Sequence, residues 1–192
     1  MDAIVLASSS PRRRELLTQA GIPFIVVPGD VDEEKADISG TPGQKAEQLA
    51  YMKAMDVART KSGIILGADT IVVCDDEIFG KPADAENARK MLRALSGREH
   101  LVITGIALID TASGRVSTGY ETTKVRFSAL SDEEIEGYIE SGEPYGKAGA
   151  YAIQGRAALF VESLDGCYSN VVGLPLRRLY RMLKDFGITV YD

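Results

Sequence analysis

The order of apolar and polar positions divides the chain into short buried runs and amphipathic stretches. Ala3 to Ala7 (AIVLA) is wholly apolar and β-prone, the pattern of a strand covered on both faces. Ser8 to Ser10 break the run, and Pro11 opens a helix with Ser10 as its cap. Leu16, Leu17 and Ala20 give that helix an apolar face, and Gly21 ends it. Phe24 to Val27 predicts a second strand, and Pro28 to Glu34 an acidic loop. Thr41 and Pro42 then start a long helix, in which Ala46, Leu49, Ala50, Lys53 and Ala54 recur at helical spacing until the chain reaches Lys61 to Gly63.

Ile64 to Leu66 predicts another buried strand, followed by GADT (67–70) and then IVVC (71–74). Cys74 to Glu77 (CDDE) has the character of a hairpin turn, which Phe79, Gly80, Lys81 and Pro82 leave. Asp84 caps a helix through Leu95, with Ala88, Met91, Leu92 and Leu95 on its apolar face. Leu101 to Ile109 and Thr118 to Phe127 predict strands. Ser131 with Glu134 is a capping-box pair before a helix that ends near Gly142. Residues 144–155 are glycine-rich and irregular, Ala157 to Val161 predicts a strand, and Leu174 to Phe186 a helix, with a short strand in ITVY (188–191) after it. No tandem repeat, low-complexity tract or long linker interrupts this. Strands alternate with helices and then cluster, so the expected fold is mixed α/β (α+β). A single domain over 1–192 is expected, with a central mixed sheet and two lobes around a cleft.

Composition narrows the function classes. Hydrophobic residues make up 45% of the 192, enough to fill a core. With 28 acidic against 22 basic residues, the net charge of −6 argues against a dedicated binder of nucleic-acid polymers. It leaves room for a small anion at a local basic island, and SPRRR (10–14) is the densest one. Cys74 and Cys167 are far apart without ligand spacing, which suits reduced thiols in a reducing compartment, a disulfide being the minor alternative. The apolar run at the N-terminus precedes its basic cluster, the reverse of a signal peptide, and no apolar run approaches the roughly 20 residues of a membrane span. The expectation is a cytoplasmic protein without a membrane partner.

Five motifs carry candidate chemistry. In strand–SSSPRRR–helix, hydroxyls, backbone N–H groups and a helix N-terminus converge with the planar guanidinium forks of Arg12 and Arg13, a combination suited to phosphate. The alternative is a solvated basic start to a surface helix. Asp69 in GADT follows a buried strand, where it is a metal ligand, a general base or a turn aspartate. Glu33, within DVDEEK (30–35), is either one of a run of solvated acids or, near Asp69, the second oxygen ligand of a Mg²⁺ or Mn²⁺ site. Lys81 lies in the constrained turn GKP, and Lys53 close to the apolar face of its helix; each either faces a ligand or reaches for solvent. Gln154, in KAGAYAIQG (147–155), carries an amide suited to a nucleobase edge, unless the segment is simply a structural glycine turn. The one histidine, His100, reads as structural.

The succession of SxSPRR, DVDE, LAxxKA, GADT, GKP, SGR, KAGAYxIQG and VVGLPL, from Leu6 to Leu176, resembles the Maf family of nucleotide pyrophosphatases. Arg12, Thr70 and Gln154 match the branch that hydrolyses dTTP and UTP; the branch acting on 7-methyl-GTP differs at these three positions. Ala152 is a local variant where many relatives have glycine. The resemblance implies a two-lobed mixed α/β body related to inosine triphosphate pyrophosphatases. It implies Asp69 as proton acceptor and Arg12, Thr70 and Gln154 as base-preference residues. Ser9, Arg13, Glu33, Lys53 and Lys81 match positions that bind or support phosphates or metal. A divalent cation (Mg²⁺ or Mn²⁺), a homodimer and an association with septum formation and division arrest are implied as well. The alternative from another class is a nucleotide-binding regulator of septum formation that acts through protein partners.

Overall fold

A computed structural model describes residues 2–32 and 36–191. Its elements run β1 (Ile4–Leu6), α1 (Pro11–Gln19), β2 (Phe24–Val26), α2 (Pro42–Ala58), β3 (Ile64–Cys74), β4 (Glu77–Phe79), α3 (Ala85–Leu95), β5 (Glu99–Asp110), β6 (Val116–Phe127), α4 (Asp132–Glu140), β7 (Val161–Asp165), α5 (Tyr168–Val172) and α6 (Leu176–Asp185). The strands form one sheet in the order β2-β1-β3-β5-β6-β7, with β4 paired to β3. β1 is parallel to β2 and β3, while β3–β4 and β6–β7 are antiparallel, so the sheet is mixed as expected. No described helix is long and apolar enough to cross a membrane.

The chain divides into two compact units, to both of which β3, β5 and β6 contribute residues. The first comprises Met1–Asp69, Thr104–Glu121 and Gly173–Asp192. Its apolar centre joins Val5, Ala7 and Ile65 of the β1–β3 region to Ala50, Ala54 and Val57 of α2. The spacing of small residues decides how closely α2 packs. A Cβ added to Gly67 would overlap the carbonyl oxygen of Ala50, and one added to Gly105 would overlap that of Ala46. The helix backbone therefore rests directly on β3 and β5, at a distance that no side chain allows. The Thr41 hydroxyl accepts from the Gln44 amide at 3.3 Å, and the Gln44 side chain accepts from Thr41 at 2.9 Å, a reciprocal cap that fixes where α2 begins.

The second unit comprises Thr70–Ile103 and Thr122–Val172. Leu92 and Leu95 of α3, Ile135 and Tyr138 of α4, and Phe127, Tyr151 and Phe160 form its core. Asp75 and Asp76 carry φ of 48° and 64°, the left-handed pair of a two-residue hairpin turn between β3 and β4. His100 is buried, with Nε2 at 2.8 Å from the Tyr151 hydroxyl and its ring edge-on to Phe127 and Tyr151. Burial lowers its pKa to about 4. The unfolded chain, with a histidine pKa of about 6.5, then binds more protons than the folded chain between these values. Stability should be full above about pH 6.5, fall as the pH drops toward 4, and flatten below it, by on the order of 3 kcal/mol in all. Chemical denaturation across that window should show this slope, and His100→Phe should flatten it; an unchanged slope in the variant would assign the effect to other groups.

Four local expectations change. The strand that starts at Ile64 does not stop at GADT but runs unbroken to Cys74, because Gly67, Ala68 and Asp69 are buried and remain extended. Ser10 occupies the cap position of α1 without making a side-chain cap bond; its N–H donates instead to the Ser8 hydroxyl at 3.3 Å. Arg156–Leu159 forms a 3₁₀ turn, closed by Ala158 N–H to Gly155 O and Phe160 N–H to Ala157 O at 3.0 Å each, so the expected strand at 157–161 begins only at Val161. ITVY forms no strand among the described residues: Gly187 turns at φ 75° and the Ile188 N–H returns to the Leu183 carbonyl at 2.9 Å, a helix-ending motif. The short helix α5 had no periodic signal in the sequence.

Candidate active site

In the first unit the N-terminal motif is a strand–loop–helix corner. β1 ends at Leu6, Ala7 still donates to the Leu66 carbonyl at 2.8 Å, and the chain turns through Ser8–Ser10 into α1. Arg13 holds this corner. Its Nη1 donates to the Ser8 hydroxyl at 2.9 Å and its Nε to the Gly173 carbonyl at 2.9 Å, and the residue is 9% exposed. That guanidinium is built into the fold and joins the loop to the segment before α6. Arg12 beside it is half-buried, and Ser9 is exposed.

Asp69 lies on β3, and Lys53 on α2 donates from Nζ to its Oδ1 at 2.5 Å. Alternation explains the meeting. Residues 65, 67 and 69 share one face of β3, so Asp69 follows Gly67 on the side that α2 covers. On α2, Lys53 lies one turn beyond Ala50, the residue that Gly67 admits. The closest approach of helix and strand thus leads directly into the ion pair. Asp69 is 6% exposed and is held on a regular strand rather than a loop. Removing one partner leaves the other charge without its compensation, a cost moderated here because the Lys53 side chain is 15% exposed and keeps access to water. Thr70, the next residue, is half-buried and faces the other side of the strand.

In the second unit, Lys81 is exposed between Gly80 and the buried Pro82. The Gly80 carbonyl accepts from the Gly149 N–H at 3.0 Å, which ties the Lys81 turn to the KAGAY segment. Gly149 has φ 68°, and a Cβ there would press on Val72, so the small residue is required twice over. Gln154 is exposed on a turn that the Gly155 N–H closes onto the Ala152 carbonyl at 3.0 Å.

Among the expected site residues, the structure brings Lys53 to Asp69. It binds Arg13 to Ser8, whose role as acceptor the sequence did not signal. Glu33 lies outside the described residues. Among the described residues no group of three or more His, Cys, Asp or Glu side chains is arranged to hold a metal ion. Gly67 and Gly173 were legible only as parts of the GADT and VVGLPL strings. Their roles, admitting α2 and accepting from Arg13, depend on contacts distant in sequence.

The description of the Maf-like protein family matches residues 3–186. The chain belongs to the Maf family. Among Maf relatives, a dTTP/UTP pyrophosphatase of Ruminiclostridium cellulolyticum is 58% identical, the match covering 96% of each chain. A second protein of that name, from Pelotomaculum thermopropionicum, is 51% identical over 99% of this chain and 100% of the relative. Beyond the Maf relatives, a HAM1 protein from Coxiella burnetii superposes with a TM-score of 0.50 at 17% identity, covering 96% of this chain and 100% of that one, a likeness of fold alone.

Proposed function

We propose that this chain hydrolyses dTTP and UTP between the α and β phosphorus atoms, releasing the nucleoside monophosphate and pyrophosphate. The observation that carries the reading is the name dTTP/UTP pyrophosphatase on relatives 58% and 51% identical over almost all of both chains. The buried Asp69–Lys53 pair supplies the matching chemistry. Water attacks the α phosphorus, the bond to the bridging oxygen breaks, and pyrophosphate leaves with the electron pair. Asp69 takes the water's proton. Lys53, in contact with Asp69, keeps that carboxylate oriented until then. Arg12 and Lys81 balance charge on the phosphates, Ser9 offers them a hydroxyl hydrogen bond, and Arg13 keeps the Ser8–Ser10 loop in place. Thr70 and Gln154 favour a pyrimidine base, since a base of the wrong pattern leaves their polar groups unpaired at about 1–3 kcal/mol each. Pyrimidine triphosphates with small substituents on the base fit the same reading.

A divalent cation fits the chemistry of this donor. Asp69 would offer the hard carboxylate oxygen that Mg²⁺ and Mn²⁺ prefer, beside phosphate oxygens of the substrate and water. Glu33 is the proposed second protein ligand. When bound, the cation neutralises phosphate charge and lowers the pKa of coordinated water. The protein is also proposed to be a cytoplasmic homodimer.

The test is a panel of nucleoside triphosphates assayed for pyrophosphate and orthophosphate separately, with each metal in turn. Pyrophosphate from dTTP and UTP, lost on chelation with EDTA and restored by Mg²⁺ or Mn²⁺, is the expected result. Release of orthophosphate would place the cut elsewhere, and nucleotide binding without either product would end the enzymatic reading.

A further inference from the structure

An exposed glutamine reads a base reproducibly only when the turn that carries it is fixed from behind. In the second unit a phenol and a carboxylate do this for Gln154. Tyr138, on the buried face of α4, is 3% exposed. Its oxygen accepts from the Ala152 N–H at 3.3 Å, and its O–H donates to Glu143 Oε1 at 3.1 Å. The other oxygen of Glu143 accepts from the Arg156 N–H at 3.1 Å. The backbone N–H groups two residues before and two residues after Gln154 therefore end on one Tyr138–Glu143 pair. The fit is close: a Cβ on Gly155 would fall inside the Glu143 carboxylate, so the IQG turn needs its glycine to let that carboxylate in.

Glu143 is itself anchored. Its N–H donates to the Ser141 hydroxyl at 3.2 Å, and its carbonyl accepts from the Lys147 ammonium, which also donates to the Tyr145 carbonyl at 3.4 Å. The Tyr138 ring packs edge-on to Phe160 with centroids 5.2 Å apart, so the phenol does not swing. Both oxygens of Glu143 are acceptors for N–H or O–H donors here. A carboxylate satisfies both at once, whereas an amide presents an N–H to one of them.

We propose that Tyr138 and Glu143 are positioning residues for base selection, which hold the Gln154 turn in its pyrimidine-selecting conformation without touching the substrate. This rests on the reading of Gln154 given under the proposed function. A relay that served the fold alone would, when broken, lower stability and slow all substrates alike. A positioning relay, when broken, reduces discrimination first.

The experiment compares Tyr138→Phe, which keeps the ring and its packing, and Glu143→Gln, which keeps the size, with Gln154→Ala and the double variant Tyr138→Phe/Gln154→Ala. The readouts are kcat and KM for dTTP, UTP and GTP by pyrophosphate release, together with the melting temperature. The expected result is a roughly tenfold or greater fall in the dTTP-to-GTP ratio of kcat/KM in each single variant. It should be carried mainly by KM for dTTP, with GTP turnover within a few-fold of the parent. The double variant should be no less selective than Gln154→Ala alone, because both changes remove one function. If Gln154→Ala reduces selectivity but Tyr138→Phe and Glu143→Gln do not, the relay is refuted while the reading of Gln154 stands. If Gln154→Ala itself leaves selectivity intact, both fall together. Losses that add in the double variant would also overturn the relay.

Discussion

Asp69→Asn should leave the fold intact and reduce pyrophosphate release from dTTP by about a hundredfold to ten-thousandfold, the range expected when a positioned general base is removed. The reasoning starts from what the substitution changes. Asparagine keeps the shape of the side chain on a regular strand, so β3 and its packing on α2 have no reason to move. What disappears is the proton acceptor and the countercharge to Lys53, which lies at 2.5 Å. The Lys53 side chain is 15% exposed, so its ammonium still reaches water. The stability cost should then remain near the 1–3 kcal/mol of a weakened charged hydrogen bond. Circular dichroism, thermal melting and calorimetric titration with dTTP should show a folded, nucleotide-binding protein. Single-turnover assays should show the lost chemistry. Retention of more than about a tenth of the parent turnover would move the proton-accepting role to another group.

The elements were largely legible because their signals are local. AIVLA, the Thr41–Pro42 start of α2, the DD turn and the Ser131–Glu134 box each state their structure within a few residues. The failures share a cause. GADT looked like a break because glycine and aspartate are turn formers, yet here Gly67 is small so that a helix can rest on it, and Asp69 is buried because Lys53 meets it. Both facts depend on Ala50 and Lys53 of α2, which lie outside the GADT string. The 3₁₀ turn at Arg156–Leu159 was hidden for a related reason: Ala157 and Phe160 are apolar enough to imitate a strand.

The candidate site divides along the same line. Residue types that bind phosphate or accept protons stand out in short strings, and the order of those strings alone points to a family. The work of each arginine does not stand out in this way. Arg12 and Arg13 are neighbours of one type, yet Arg13 is 9% exposed and binds Ser8 and the Gly173 carbonyl. That second partner lies 160 residues away in sequence, beyond any motif.

Gly67→Ala should lower turnover by about a hundredfold, as expected when catalytic groups are displaced by about 1 Å. The new Cβ would overlap the Ala50 carbonyl oxygen and lie 2.9 Å from both the Cβ and the backbone nitrogen of Ala54. Two of those three neighbours are helix backbone, which has no rotamer to escape into, so α2 itself must shift. Overpacking of this kind costs typically 1–3 kcal/mol, or a melting decrease of several degrees in a chain of this size. Lys53 rides on the next turn of the same helix, so the shift that relieves the overlap also carries its ammonium away from Asp69. Gly105→Ala supplies the comparison, because it forces the same kind of overlap at Ala46, further from Lys53 along α2. Both variants should melt early, but Gly67→Ala should lose far more kcat, and its residual activity should be insensitive to a further Lys53→Met change. Equal losses of kcat in the two glycine variants would show that general loosening, and not the geometry of the Lys53–Asp69 pair, limits turnover.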